Sequence, residues 1–90
     1  MRVDLFLKRT GLVKQRSLAK DICDRGEVTV DGRKAKAGKE ISVGSSVAVE
    51  LPTEYLEIEI IALPDRNYKR KQGETFYKVV QHEKRDPYWG

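Results

Sequence analysis

The chain has 90 residues, 39% of them hydrophobic and 36% charged, and a formal net charge of +4. That length supports one domain with a modest core, and no apolar run reaches the length of a membrane-spanning helix or of a signal segment. With one cysteine and one histidine there is no internal disulfide, metal cluster or nucleophilic triad to build, so a cytoplasmic, non-enzymatic protein without cofactor or membrane partner is expected.

The first element is a short helix. Val3, Phe6 and Leu7 stand at i, i+3 and i+4 and so share one face, and Gly11 breaks the helix soon after. Lys14-Gln15-Arg16-Ser17 opens a second helix, in which Ala19, Ile22 and Cys23 repeat the spacing, with Leu18 and Ile22 as an i, i+4 pair beside it. Neither helix is long enough to stand alone in water, so each must bury its stripe against the other and against the rest of the chain. Cys23, on that stripe, reads as a small core side chain.

The polar side of these helices is basic. Arg2, Lys8, Arg9, Lys14, Arg16, Lys20 and Arg25 fall outside the apolar stripes, with Asp4, Asp21 and Asp24 between them. The N–H groups at the start of the second helix carry partial positive charge and favour an anion there. Arginine adds bidentate donors, so Arg2, Arg16 and the helix start together suit a phosphate backbone. Asp4, in the first turn of helix one, complements the dipole and can hold Arg2 or Arg16 in place.

Gly26 follows helix two where a left-handed residue belongs. Glu27-Val28-Thr29-Val30 alternates as a strand, Asp31-Gly32 is a strong type I′ hairpin signal, and Arg33-Lys34-Ala35-Lys36 forms the returning limb. The lysines of that limb either blunt a sheet edge or meet phosphate. Residues 37–41 are a connector and 43–46 a tight turn. Val47, Val49 and Leu51 mark a half-buried strand ended by Pro52. Tyr55 to Ala62 is the next, with Leu56, Ile58 and Ile60 facing in, and Glu50, Glu54, Glu57 and Glu59 forming an acidic outer face. Residues 66–73 read as a basic loop carrying Tyr68, Phe76 to Gln81 as a last strand, and 83–90 as a polar tail with Tyr88 and Trp89. His82 reads as a surface histidine. Charge is polarised: residues 1–38 hold ten Lys/Arg against five Asp/Glu, 39–64 one against five, and 65–90 seven against four. Such a field orients a protein on a polyanion as well as attracting it.

The opening stretch MRVDLFLKRTGLVKQRSLAKDICDRGEVTVDG resembles the RNA-binding domain named after ribosomal small-subunit protein S-four. The pattern matches at Arg2, Asp4, Leu7, Leu12, Arg16, Ser17, Ala19, Ile22, Gly26, Val28, Val30, Asp31 and Gly32, departing only in Asp31, where Asn is commoner. The resemblance implies an α+β fold: two short N-terminal helices packed on a small, mainly antiparallel sheet, with residues 1–64 as the RNA-binding part and 65–90 completing the same domain. It implies an RNA surface made of Arg2, Lys8, Arg9, Lys14, Arg16, Ser17, Lys20, Arg33, Lys34 and Lys36. Among small members, the chain is similar to the ribosome quality control protein P family and to the small ribosome-associated heat-shock proteins. That implies large-subunit rRNA and peptidyl-tRNA on stalled, split 50S subunits as ligands, an alanine-tailing quality-control factor as partner, and a monomer off the ribosome. The alternatives are a heat-shock recycling factor of the same fold and a DNA-binding winged helix–turn–helix, which needs a third helix that the pattern does not offer.

Overall fold

The two apolar stripes and the alternating strands meet in one core. In the computed structural model, which describes residues 1–64 and 75–84, helices α1 (Val3–Arg9) and α2 (Arg16–Asp24) precede strands β1 (Val28–Val30), β2 (Arg33–Lys34), β3 (Ser46–Glu50), β4 (Glu54–Ile60) and β5 (Tyr77–Lys84). The strands form one antiparallel sheet in the order β2-β1-β3-β4-β5. Val3, Phe6 and Leu7 of α1 and Ala19, Ile22 and Cys23 of α2 are buried with Val28, Val30, Val47, Val49, Ile58 and Ile60. The strand residues in that set lie opposite one another in the ladders and share a face, so both helices cover the same side of the sheet. Leu18 lies outside this core, 45% exposed.

The turn chemistry is as the sequence indicates. Gly26 is left-handed (φ +75°), and the N–H of Glu27 reaches back to the Ile22 carbonyl, which closes α2 in a Schellman-type turn. Asp31 and Gly32 both take positive φ, as a type I′ turn requires. The Asp31 carboxylate also accepts the Ser46 N–H at 2.9 Å, tying the hairpin tip to β3. The returning limb is shorter than expected. Only Arg33 and Lys34 are strand; Ala35 and Ala37 turn into the core, and the segment they begin runs beneath the start of α1. There the N–H groups of Val3 and Asp4 donate to the carbonyls of Lys39 and Ala37 (2.9 and 3.3 Å), and Ile41 donates to Met1. Donors that a helix N-terminus normally leaves open are thereby satisfied from far along the chain.

The second half shifts the expected boundaries. β4 is Glu54–Ile60 rather than 55–62, and Ile61 beyond it is 48% exposed. β5 runs on to Lys84, past the expected end at Gln81, because Glu54 to Glu57 continue to pair with it. Its register shifts between Glu57, opposite Gln81, and Ile58, opposite Val79, leaving Val80 as an extra residue. That bulge reverses the expected alternation: Gln81 joins Lys78 on the face away from the helices, and His82 joins Val79 on the other. Glu54 parts company with the acidic face through the alternation of β4 itself, which sets it in phase with Leu56 and Ile58. It pairs opposite Lys84 on the helix side and meets His82 at 3.0 Å, while Glu50, Glu57 and Glu59 stay on the far side. Ala48 is buried on that far side, where it is small and lies between Thr29 and Glu57. The expected basic loop with Tyr68, and Tyr88 and Trp89, lie outside the described residues.

Cys23 is buried against this core, and that burial, with Asp4 and Asp24 nearby, pushes its thiol up from 9.0 to about 11. The folded protein therefore binds this proton more tightly than the unfolded chain does. Its contribution to stability is full below pH 9 and is lost as pH rises through about 11. Denaturant titrations at stepped alkaline pH should show that fall, and Cys23→Ala should lessen it. Alkylation of Cys23 near neutral pH should proceed only through unfolding.

Candidate nucleic-acid interface

The interface begins with one buried carboxylate. Arg2 is the extended residue that leads into α1, Asp4 sits in its first turn, and Arg16 is the first residue of α2. Packing the two apolar stripes together brings all three side chains to one place. Asp4 is 2% exposed, and its Oδ1 accepts the Leu5 N–H at 2.8 Å. Arg2 binds the same carboxylate through its Nε at 3.3 Å and its terminal nitrogen at 3.3 Å. The Arg16 Nε lies 3.6 Å from Oδ2. The sequence offered Asp4 as a support for either arginine, and it supports both. The Arg2 and Arg16 side chains are themselves 46% and 51% exposed, so each is fixed at one edge and turns its remaining donors outward. Two cations on one anion leave a local charge of +1, suited to a phosphate oxygen.

The start of α2 adds to that field. Gln15 makes no side-chain cap, and among the described residues the N–H groups of Arg16, Ser17 and Leu18 have no partner. Lys14, Ser17 and Lys20 are all exposed around this opening, and Lys20 lies one turn beyond Arg16. The start of α1 differs, since the chain's own carbonyls fill it. Lys8 and Arg9, expected in the same surface, sit in the last turn of α1, at the other end of the helix. Lys8 is exposed there, but Arg9 is half-buried and donates to the Pro64 carbonyl at 3.2 Å. Arg9 thus has a structural bond to satisfy that the sequence did not announce.

A second basic region lies on the hairpin. Arg33, Lys34 and Lys36 border a groove of about 590 Å³ with Val30, Asp31, Ala35 and Lys39. The stem of Lys34 lies along Gly26, where a Cβ would stand 3.3 Å from its Cδ, close to the C-terminal end of α2. A cation there complements the helix dipole, so Lys34 has a structural role as well. Lys39 is the residue that sequence reading missed, having been assigned to a plain connector. The alternation of Ala35 and Ala37 with Lys36 marks a segment with one side on the core but would set Lys39 on that side. A turn closed by the Lys39 N–H on the Lys36 carbonyl at 3.0 Å breaks it and leaves Lys39 exposed. The groove and the arginine pair adjoin, since the Arg2 guanidinium lies over Gly38, 3.8 Å from where its Cβ would be. Beside them Glu40 holds the Met1 amino group at 2.8 Å. That hydrogen bond and charge, helped by Arg2, keep its carboxyl below the usual range.

Among the described residues no group of His, Cys, Asp and Glu is placed to hold a metal ion, and no helix is long and apolar enough to cross a membrane. The far face of the sheet carries Glu50, Glu57 and Glu59, away from Arg2 and Arg16; Lys34, opposite Thr29, stands on that face at the other edge of the sheet.

Comparison with known proteins agrees with this arrangement. The S4 domain model matches residues 1–47, the stretch that holds both helices, the hairpin and Lys39. The RQC P-site tRNA stabilizing factor of Halalkalibacterium halodurans is 34% identical over 83 residues, covering 92% of this chain and 93% of that one. The Helicobacter pylori (strain 26695) protein of the same name is 40% identical over 77 residues, 84% of this chain and 92% of that one. A heat shock protein 15 homolog of Haemophilus influenzae is 31% identical over 81 residues but is covered only to 62% of its length. The solved trimeric structure of Vibrio cholerae heat shock protein 15 shares the fold, with a TM-score of 0.77 at 24% identity over 89% of this chain and 81% of that one. The arginine pair, the hairpin and the helices that carry them lie within the matched 1–47, and relatives align along nearly the whole chain: it belongs to the S4 domain family.

Proposed function

We propose that this protein binds RNA on the ribosome and works by holding that RNA in place, not by catalysis. The observation that carries the reading is the pair of half-exposed arginines fixed on buried Asp4, beside the open start of α2. An RNA backbone supplies the anionic oxygens that such a pair accepts. The relatives named RQC P-site tRNA stabilizing factors support a finer reading. In it the ligands are large-subunit rRNA and the peptidyl-tRNA left on stalled, split 50S subunits, in the cytoplasm, and the complex assists an alanine-tailing quality-control factor. Residues 1–64 supply the RNA surface, and 65–90 complete the same domain through β5. A role as a heat-shock recycling factor is the second reading, favoured by the likeness to the Haemophilus influenzae protein. Crosslinking in cells, with sequencing of the bound RNA and sedimentation of ribosome fractions, tests the assignment. Recovery of tRNA and large-subunit rRNA in the split-subunit fraction is the expected result, and preference for duplex DNA over rRNA in competition would overturn it.

Arg16→Ala should weaken binding to large-subunit rRNA by about 1.5–3 kcal/mol, the range for hydrogen bonds to charged groups, or about one to two decades in Kd. Arg16→Lys should recover only part, because a point charge cannot reproduce the guanidinium fork. Half-exposed and 3.6 Å from Asp4, Arg16 should contribute at most about 1 kcal/mol to stability. A loss of melting temperature with unchanged affinity of the folded fraction would reduce Arg16 to a brace between the helices. Asp4→Asn should lower both stability and affinity, since it releases both arginines at once.

Salt provides an independent check. If five to seven of the basic side chains neutralise phosphates, log affinity should fall with log salt at a slope of roughly −3.5 to −6. A slope near −1 would mean that another surface carries the binding.

A further inference from the structure

β5 is the outermost strand of the described sheet, and among the described residues only β4 pairs with it. Seven of its eight residues are exposed, and Val79 and Val80 near its middle are 49% and 57% exposed. Such an edge presents a row of N–H and C=O groups to any strand that can match it. Lysines usually discourage that match, and β5 has Lys78 and Lys84. Here the bulge changes their meaning.

In an unbroken strand residues 78 and 83 lie on opposite faces, because an odd number of steps separates them. The extra residue at Val80 reverses the alternation. Lys78 lies opposite Glu59 and Glu83 opposite Tyr55, both on the face away from the helices. Val79 and His82 share the helix-side face, as do Tyr77 and Lys84. Two copies of β5 related by a two-fold axis can pair antiparallel only if opposed residues share a face. An axis between Val80 and Gln81 meets that condition. It sets Lys78 against Glu83, Val79 against His82 and Tyr77 against Lys84, each twice.

We propose that β5 is a docking edge for a second copy of this chain, joined antiparallel in this register. The strand is complementary to itself: each Lys78 ammonium faces the carboxylate of Glu83 on the other copy, and the exposed valines come to the centre of the join. The bulge that splits β5 against β4 is what makes its outer edge symmetric. The inference departs from the monomer expected from sequence, and it is independent of the RNA surface, which lies on the helices and hairpin.

Sedimentation equilibrium of the full chain, without RNA, should give a weight-average mass that climbs from one chain toward two across the micromolar to submillimolar range. Lys78→Glu and Glu83→Lys each place like charges opposite one another twice, and each should weaken dimerisation by about tenfold or more. Mixed in equal amounts, the two variants should regain it, because each now supplies the charge that the other needs. Circular dichroism checks that both are folded. Should Lys78→Glu be disturbed by its neighbour Glu59, the Glu83→Lys variant carries the test alone. A mass of one chain at every concentration, or assembly to a species other than a dimer, overturns the proposal. Variants that dimerise as well as the parent overturn its register.

Discussion

The arginine pair at the start of the two helices depends on the burial of one carboxylate. Asp4 is nearly inaccessible, and a charged group there is costly unless opposite charge and hydrogen bonds surround it. The chain meets that requirement with a backbone N–H from its own helix and two guanidinium groups, one from the residue that leads into α1 and one from α2. The arginines are not buried in return. Each leaves about half its side chain in water, so the attraction that secures Asp4 also orders two cationic forks that would otherwise sweep many rotamers. Ordering of this kind lowers the entropy that a ligand must supply on binding. It also ties the start of α1 to the start of α2.

The fold was largely legible in the sequence, because its signals are local. Val3, Phe6 and Leu7 could form only one helix face, and Asp31-Gly32 could hardly be other than a two-residue turn. The positions of Arg2 and Arg16 followed from joining those stripes. What was not legible depends on partners distant in sequence. Nothing near Arg9 announces the Pro64 carbonyl, and nothing near Lys39 announces that the connector passes beneath α1. The acidic face was misread at Glu54 although the local rule sufficed there: Glu54 stands in phase with Leu56 and Ile58, not with Glu57 and Glu59. Glu54 keeps its place in the alternation of β4, but its role is set by His82, which the bulge has turned toward it.

That bulge divides the sheet into two parts of different character. β1, β3 and β4 carry the buried valines and isoleucines, with helices on one side. β5 contributes little to the core beyond Tyr77, and most of it is exposed. The polarity of the molecule follows this plan. Cations gather where the helices and hairpin converge, carboxylates occupy the uncovered face of the sheet, and β5 has both signs in alternation.

The strap of backbone that closes over the start of α1 has a consequence for synthesis. Val3, Asp4 and Met1 find their partners at Lys39, Ala37 and Ile41. As a nascent chain leaves the ribosome, its first residues emerge early but cannot take their final place until that later segment has followed them out. Non-local closures of this kind come late in folding, after the loop between them has been gathered in. Arg2 and Asp4 lie inside this closure, so the arginine pair is assembled only once the hairpin is made. A half-synthesised copy carries the charges of the binding surface without its geometry.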